Sequence, residues 1–162
     1  MFFVSLMDYA KTAFANIKEI AAEDRFLLVQ SNFQLMQSLD GSYRALHHFP
    51  NDDTVMVSYT TFVNNDTLES FFGNCPPDVN HEDAMIEFRK NMDDTLKVNK
   101  SNFEKINPSA EEFIALFGLA LWNYPQNSSM ETVNLAIRNR YEILKELKMI
   151  YLRRGFTECA PR

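Results

Sequence analysis

The stretch that decides the fold runs from Tyr9 to Arg44 and reads YAKTAFANIKEIAAEDRFLLVQSNFQLMQSLDGSYR. Its part from Phe26 to Leu39 is long enough for a helix of almost four turns and contains no charged residue. Apolar side chains recur along it at helical spacing, on two sides of the helix. Those side chains are Phe26, Val29, Phe33 and Met36 on one side, and Leu28, Leu35 and Leu39 on the other. The pattern predicts the middle helix of a helical sandwich, with other helices packed against both flanks.

Length and composition predict one domain, residues 1–162, with a mostly helical fold. The chain is 46% hydrophobic and 23% charged, as in an ordinary globular protein, and has only 4 glycines and 6 prolines to interrupt helices. Its formal charge of -6 argues against direct binding of nucleic acid, which requires concentrated lysine and arginine. Cys75 and Cys159 form no paired motif, so we expect reduced intracellular thiols. The apolar opening MFFVSLM is too short to predict secretion or a membrane span.

The first half of the chain predicts two helices and a small β element. We expect one helix from the first residues to about Ile20 and a second from about Ala22 to His47, with Gly41 as its weak point. The stretch 54–63, TVMVSYTTFV, is rich in β-branched and aromatic residues. Its alternating side chains are Val55, Val57 and Tyr59. This alternation predicts a β-hairpin or β-turn.

The second half predicts three helices. Asn80 and Asp83 are spaced to cap a helix that ends near residues 97–102. Asn107-Pro108 is predicted to start the next helix, with Pro108 at its first position, and Ser128 with Glu131 fits a capping box for the last, which ends at Gly155. The predicted inward side chains are Met85, Phe88, Met92 and Leu96 in the first of these helices, Phe113, Leu116, Phe117, Ala120 and Leu121 in the second, and Val133, Ile137, Leu144, Leu147 and Tyr151 in the third.

The order of these parts resembles the ligand-binding domain of nuclear hormone receptors. The resemblance rests on Ala10-Lys11, a short loop, Glu23-Asp24-Arg25 and a helix ending in Tyr43-Arg44, and on the later stretches EEFIALFGLALWN and NLAIRNRYEILKELKMIYLRRG. It extends over residues 5–155 and is that of a divergent, nematode-type member, with Arg25 where the family usually has glutamine. It implies an all-α, three-layer helical sandwich with a small β-hairpin or β-turn, and covered flanks on the helix at 26–39 are its central expectation.

The resemblance also implies an incomplete domain. No zinc-finger DNA-binding module precedes it in the sequence, and the chain stops at Arg162, where the family's tenth to twelfth helices would follow. In the family those helices form the dimer surface, close the ligand pocket and complete the coactivator clamp. Without them we expect uncovered apolar surface, and therefore marginal stability or a partner that covers it.

Lys11 corresponds to the lysine that, in the family, caps the carboxyl end of a coactivator helix. A cation there complements the negative end of the helix dipole, while an apolar groove takes the leucines of the helix. The resemblance places Met7, Phe26 and Val29 in that groove, with Gln30 at its rim. The alternative is a solvated surface lysine beside ordinary core residues.

Arg44 lies where many members of the family have an arginine that anchors a polar group of the ligand. A lipophilic ligand would then be lined by Met36, Leu39, Met85 and Met92. The alternative is that these residues make a filled core. Arg44 would then pair with an acidic neighbour, namely Asp40, Asp52 or Asp53.

Other polar residues indicate structure rather than chemistry. The resemblance implies that Glu111 or Glu112 pairs with a later arginine, Arg138 or Arg140. The histidines, which are His47, His48 and His81, are too scattered to predict a metal site. No nucleophile–base grouping, phosphate loop or dinucleotide motif is present in the sequence, so we predict neither an enzyme nor a cofactor.

The resemblance therefore predicts a regulator of transcription. It would act through coregulator proteins or another receptor, with a lipophilic ligand as a further partner, in the nucleus or in nucleus and cytoplasm. Direct contact with nucleic acid or a membrane is not expected of this chain. The alternative is a helical adaptor or scaffold without a ligand, whose likeness to receptors comes from apolar periodicity alone.

Overall fold

The computed structural model describes residues 2–58, 60–73, 76 and 80–156, and within them the chain is mostly helical. The α-helices are α1 (Phe2–Ala13), α2 (Ala22–His48), α3 (Leu68–Phe72), α4 (His81–Asn91), α5 (Val98–Ile106), α6 (Ala110–Leu121) and α7 (Met130–Arg153). A short 3-10 helix spans Ala15–Glu19, and a π-helical stretch, Met92–Lys97, joins α4 to α5. Strands β1 (Val55–Met56) and β2 (Phe62–Val63) pair antiparallel, Val55 opposite Val63. The predicted all-α class with a small β element is confirmed.

The chain groups into two compact units, which we name by their place in the sequence. The terminal unit comprises Met1–Met36 and Pro108–Arg162, and the central unit comprises Gln37–Asn107. Helix α2 contributes its first part to the terminal unit and its last part to the central unit. The single domain expected over residues 1–162 stays a prediction.

The first predicted helix is interrupted before Ile20. Helix α1 ends at Ala13, because Phe14 leaves helical geometry (φ -128°, ψ 84°) and the chain resumes as the 3-10 helix. The interruption lets the Phe14 ring pack edge-on against Trp122, with ring centroids 5.3 Å apart. A favourable aromatic contact therefore accompanies a break that helical periodicity does not reveal.

Helix α2 is not covered on both flanks, and this expectation is wrong. Leu28, Val29 and Met36 are buried, but Phe26 and Leu35 are 46% and 44% exposed. The exposed side also carries polar, uncharged residues, including Gln30 and Gln34. The absence of charge predicts burial, yet glutamine and serine side chains form hydrogen bonds with water without carrying a charge. Helix α2 thus has one buried face and one wet face along its first part.

Gly41 is not a weak point of α2, because the helix continues through it to His48. A Cβ atom on Gly41 would lie 3.0 Å from the carbonyl oxygen of Met56. Strand β1 therefore approaches the helix backbone at this position. The glycine is explained by close packing, which no local pattern in the sequence indicates.

In the terminal unit, Asn32 holds the end of α6 against α2. Its buried amide nitrogen shares two N–H donors among the carbonyl oxygens of Leu28 (2.9 Å), Leu121 (3.1 Å) and Asn123 (2.7 Å). The side chain of Asn123 donates back to Asn32 Oδ1 at 3.3 Å. A buried polar group is stable only when it is hydrogen-bonded, and here the bonds fix a helix end.

The start of α7 is held by Asp24, in the first turn of α2. Its carboxylate accepts hydrogen bonds from the hydroxyls of Ser129 (2.5 Å) and Thr132 (3.0 Å). Ser129 is also the N-cap, accepting from the backbone N–H of Thr132. The capping box predicted from Ser128 and Glu131 is therefore wrong by one residue, since the neighbouring serine takes the role.

Helix α6 begins two residues later than predicted, with Ala110 rather than Pro108 at its first position. Ser109 is the N-cap and forms a full capping box with Glu112, whereas Asn107 is left-handed (φ 44°) and ends α5. Pro108 lies between the two helices rather than inside α6. The predicted start was the right region with the wrong capping residue.

The end of α7 at Gly155 is confirmed. Gly155 has φ +84°, and the backbone N–H of Phe156 donates to the carbonyl of Tyr151 at 3.1 Å. The N–H of Gly155 donates to the carbonyl of Leu152, and the rings of Tyr151 and Phe156 pack 5.9 Å apart. These contacts make a Schellman motif with its apolar pair.

Three predicted inward side chains of the last two helices are exposed, namely Leu116, Ile137 and Leu144. In α7 the buried positions are instead Thr132, Leu135, Ala136 and Asn139. The inward face of this helix is therefore rotated from the apolar stripe, with small and polar residues inside. Apolar side chains of α7, including Ile137 and Leu144, are exposed.

The central unit contains a filled apolar cluster around its β-hairpin. Val55, Val63, Leu68 and Met92 are each 2% exposed or less. Partly buried side chains pack against them, namely Val57, Phe72, Phe88 and Leu96. The predicted inward positions Phe88, Met92 and Leu96 are confirmed. Tyr59, the last predicted alternation position, lies outside the described residues.

Lys100 connects the end of α2 to β1 in the same unit. It is 3% exposed, and its ammonium donates to the carbonyl oxygens of Phe49 (2.6 Å), Asp52 and Thr54 (3.1 Å). Burial lowers the pKa of the amine. Three N–H donors thus meet three carbonyls, which satisfies the charge without a buried carboxylate.

Candidate functional site

A surface groove lined by aromatic rings lies between α1 and the wet face of α2. We call it the aromatic groove; its cavity volume is about 430 Å³. Its lining residues are Phe3, Phe26, Gln30, Ser31, Phe33 and Gln34. The Phe3 ring stands 5.4 Å from that of Phe26 and 5.9 Å from that of Phe33. The groove has an apolar floor with uncharged polar groups beside it, the combination that takes the apolar face of an incoming helix.

The structure brings two of the five predicted coregulator residues into this groove, Phe26 and Gln30. Met7 is half-buried on α1, and Val29 is completely buried and therefore unavailable to a partner. Lys11 is exposed, and its amine lies 3.8 Å from the carboxylate of Asp8. Phe3 and Phe33 line the groove but were not predicted. Phe33 lies two turns after Phe26 on the same face of α2, and this spacing could have indicated the groove. The prediction that this face is buried in the core hid that signal, and no local pattern indicates the contact with Phe3 on α1.

Lys11 nevertheless belongs to the same face of α1 as Phe3. The spacing 3, 7, 11 places Phe3, Met7 and Lys11 one above the other on a helix. Eight residues correspond to about 12 Å along the axis. The ammonium group of Lys11 thus lies beyond the end of the aromatic groove, separated from Phe3 by about the length of two turns of a docked helix.

Arg44 already has a partner. Its guanidinium forms an ion pair with Asp40, one turn earlier on α2, at 2.6 Å, and its Nε donates to the same carboxylate oxygen at 2.8 Å. A further bond reaches the carbonyl of Ser58 at 3.4 Å. The pairing with Asp40, the alternative to a ligand-anchoring role, is therefore the one that the structure contains.

The apolar residues predicted around a ligand have different surroundings. Met92 lies in the filled cluster beside Val55, and Met85 and Leu39 are half-buried. Met36 is completely buried and belongs to the terminal unit, whereas the others belong to the central unit. Their role in binding a ligand stays a prediction.

The predicted pairing of Glu111 or Glu112 with Arg138 or Arg140 is wrong. Glu111 pairs with Arg154 at 3.0 Å, and Glu112 accepts a hydrogen bond from the Tyr151 hydroxyl at 2.6 Å. Arg138 pairs instead with Glu19 at 2.5 Å, and Arg140 donates to the Leu119 carbonyl. The arginines of α7 face other neighbours because the inward face of the helix is rotated from the predicted stripe.

The Tyr151 hydroxyl and then the backbone N–H of Ser109 lower the pKa of Glu112.

Within the described part of the chain, no three His, Cys, Asp or Glu side chains converge as metal ligands. Among the same residues, no helix has the length and apolarity that a bilayer crossing requires. Cys75 and Cys159 lie outside the described residues.

Comparison with known proteins gives one family and one relative. The model of the ligand-binding domain of nuclear hormone receptor matches residues 2–156. A Caenorhabditis elegans protein named high zinc activated nuclear receptor protein is 24% identical over 149 residues. That alignment covers 89% of this chain and 36% of the relative, so the chain spans about a third of the length of that protein.

Proposed function

This chain belongs to the family of nuclear hormone receptor ligand-binding domains, and on that premise we propose that it regulates transcription by binding coregulator helices in the aromatic groove. Members of the family are regulators rather than enzymes, and we assign no catalysis to this chain. It would work in the nucleus, or in nucleus and cytoplasm. The carrying observation is an exposed aromatic floor followed by a lysine on the same helix face.

Different parts of the groove would bind different parts of the partner helix. Phe3, Phe26 and Phe33 offer apolar surface to leucines spaced i, i+3 and i+4 on a partner helix. Lys11 faces the carboxyl end of that helix, where unpaired carbonyls carry partial negative charge. Gln30 and Gln34 can donate to groups at the side of the partner.

A fluorescence-anisotropy titration with a labelled, leucine-containing amphipathic peptide tests this proposal. Phe26→Ala is expected to weaken binding about tenfold or more, since a central aromatic anchor is lost. Leu27→Ala is the matched control: the neighbouring side chain is 50% exposed but does not line the groove. Lys11→Ala should weaken binding about two- to fivefold, the value of a helix-end charge. Equal effects of Phe26→Ala and Leu27→Ala would contradict the proposal.

A reporter assay tests the biological part. The full chain is fused to a heterologous DNA-binding domain, and transcription from the matching promoter is compared for wild type, Phe26→Ala and Leu27→Ala. We expect wild type and Leu27→Ala to change transcription alike, and Phe26→Ala to lose the change. If the peptide binds the purified chain but the wild-type fusion does not change transcription in cells, the groove binds helices without regulating transcription, and the regulatory part of the proposal is wrong.

A ligand-independent adaptor is the second candidate, and two observations favour it. Arg44 is held by Asp40, and Met92 is packed in a filled cluster, so these residues are already satisfied without a ligand. Native mass spectrometry of the purified chain distinguishes the two. An added mass of lipid size supports a ligand-bound receptor domain, whereas the bare chain mass together with peptide binding supports the adaptor.

A further inference from the structure

A second groove in the terminal unit runs between α6 and α7, and we call it the α6–α7 groove. Its cavity volume is about 470 Å³, and residues of α1 and Phe14 complete its walls. The groove is open to solvent, because Ile114 on one wall is 61% exposed. A small-molecule site encloses most of its ligand. An open trough is better suited to a segment of another protein, which keeps one side in water.

Small residues of α6 make a hole in the floor of this groove. A Cβ atom on Gly118 would lie 3.0 Å from Ile143 Cδ1 and 3.3 Å from Phe14 Cζ, so α6 and α7 pack closely there. Ala115, almost one turn earlier on the same face of α6, also lines the groove, as does Leu147 of α7. A hole between two packed helices takes one large apolar side chain from a facing helix.

The length of the groove matches a short helical segment. Its lining residues on α6 extend from Glu111 to Gly118, which is about 10 Å along the helix axis. Those on α7 extend from Asn139 to Ile150, or about 16 Å. These lengths correspond to two or three turns of a docked helix. Such a helix would present apolar side chains to the floor at i, i+3 and i+4 spacing.

The edge of the groove is acidic. Its charged lining residues within the described part of the chain are Glu111, Glu142 and Glu146, and no cation is among them. Glu111 pairs with Arg154 and Glu142 with Lys145, but these side chains are 37% to 54% exposed, and such pairs are weak. Among the described residues, no cation forms an ion pair with Glu146. A partner with positive charge therefore complements this edge.

The spacing of two of these carboxylates sets the spacing of the partner's cations. Glu142 and Glu146 lie one turn apart on the same edge of α7, about 6 Å along its axis. Lysine or arginine side chains at i and i+4 on a facing helix have the same separation. An acidic helix with the same apolar stripe would meet like charge at both positions.

We propose that the α6–α7 groove docks a basic amphipathic helix of a partner protein. A large apolar side chain such as leucine fills the hole beside Ala115 and Gly118, and two cations one turn apart face Glu142 and Glu146. This surface goes beyond the coregulator contact and does not rest on it, because the two grooves share no lining residue. They also differ in chemistry, since the polar side chains that line the aromatic groove are uncharged.

The test uses two labelled amphipathic peptides of about 15 residues, long enough for three to four helical turns. Both have leucines at the same positions, and the remaining positions are lysine in one peptide and glutamate in the other. Fluorescence anisotropy with the full chain at neutral pH and low salt should show the basic peptide binding about tenfold more tightly or better. Added salt should narrow the difference, because exposed charges are screened. No binding of the basic peptide, or equal binding of both peptides, overturns the proposal.

Filling the hole locates the apolar part of the contact. Ala115→Phe should weaken binding of the basic peptide about tenfold or more, because a knob of the peptide loses its place. Leu116→Phe is the matched control, since Leu116 is the next residue and is exposed but does not line the groove. Circular dichroism confirms that both variants fold. Unchanged peptide binding in Ala115→Phe overturns the site.

Reversing one charge tests the acidic edge without touching the floor. Glu146→Lys should weaken binding of the basic peptide about three- to tenfold and strengthen binding of the acidic peptide. Glu87→Lys makes the same change in net charge at an exposed position of α4, outside the groove, and should leave both peptides unaffected. Equal effects of the two variants would show a response to net charge alone, and the proposal would be overturned.

The Phe26→Ala variant separates this proposal from the coregulator proposal. It should retain the preference for the basic peptide, because Phe26 does not line the α6–α7 groove. If Phe26→Ala loses the basic peptide and Ala115→Phe keeps it, the peptide occupies the aromatic groove, and only the α6–α7 proposal is overturned. Sedimentation of the chain alone tests self-association. A dimer that Ala115→Phe abolishes would mean that a second copy fills the groove, which also overturns the proposal.

Discussion

The terminal and central units use apolar residues in different ways. The terminal unit leaves apolar walls open in two grooves, around Phe26 and around Ala115. The central unit buries Val55, Val63 and Met92 in a filled cluster. Among the described residues, both grooves named above therefore lie in the terminal unit, while Val55, Val63 and Met92 belong to a buried cluster of the central unit. Substitutions in the two units should separate binding from stability.

The largest expected effect in the central unit is that of Lys100→Met. The variant removes three hydrogen bonds from a buried ammonium and leaves the carbonyls of Phe49, Asp52 and Thr54 without that donor. We expect a loss of about 3–4 kcal/mol in the free energy of unfolding. Urea denaturation followed by circular dichroism measures it. The control is Lys97→Met, whose ion pair with Asp93 is partly solvated and should matter by less than about 1 kcal/mol. Equal losses in the two variants would show that the three hydrogen bonds of Lys100 do not stabilise the central unit.

Met92→Ala tests whether the central cluster is filled. Met92 is completely buried, so removing its side chain should leave a cavity and cost about 3 kcal/mol. Met149→Ala on α7 is the matched control, because that methionine is exposed and should change stability by less than about 0.5 kcal/mol. A cost below 1 kcal/mol for Met92→Ala, as read from urea midpoints, would instead indicate an adaptable pocket of the kind predicted for a ligand.

The sequence predicted some helix ends because capping and periodicity are local, although the N-caps of α6 and α7 were each wrong by one or two residues. Asn80, the stop at Gly155 and the extent of α2 are all found where propensity placed them. The carbonyl groups that accept hydrogen bonds from Lys100 lie 46–51 residues away in the sequence, so no local pattern could predict that this lysine is buried. The Phe14 break and the close approach at Gly41 likewise depend on distant neighbours.

Burial was predicted less well than helix position. The uncharged run at 26–39 favoured a covered helix, yet Phe26 and Leu35 face water. The family match over residues 2–156 holds although this expectation failed, so the order of helices carries the resemblance and full coverage of α2 does not. The exposed Phe26 is what turns a predicted core residue into the centre of a candidate site.

Tyr151→Phe tests a link between α6 and α7 in the terminal unit, at a smaller scale. The hydroxyl donates to Glu112 and lowers the pKa of that carboxyl. Because the folded-state pKa lies below the ordinary value, its stabilisation is present above the unfolded pKa and is lost as pH falls through the folded pKa. We expect Tyr151→Phe to cost about 1 kcal/mol at neutral pH, and this cost to shrink on acidification.

Urea denaturation over a descending pH series measures the effect of Tyr151→Phe. Tyr141→Phe is the control, since that tyrosine is on the same helix and is exposed. It should match wild type at every pH. A Tyr151→Phe cost that stays constant down to strongly acidic pH would show that ring packing, rather than the charge of Glu112, links the two helices.

The smallest effects, and opposite signs, are expected from alanine at two helical glycines. Either replacement gains about 1 kcal/mol or less in helix propensity. At Gly41 the new Cβ would lie 3.0 Å from the backbone carbonyl oxygen of Met56, which the paired strand holds in place, so we expect a net loss of about 1 kcal/mol. At Gly118 it would lie 3.0 Å from the flexible end of Ile143, which can rotate, and 3.3 Å from Phe14 Cζ, which needs to shift by only a few tenths of an ångström, so we expect a net gain of about a few tenths of a kcal/mol. Thermal denaturation of both variants decides the matter. If Gly41→Ala is more stable than wild type, strand β1 can shift away from the new Cβ atom as easily as the Ile143 side chain can rotate. The central unit would then be no more tightly packed than the terminal unit.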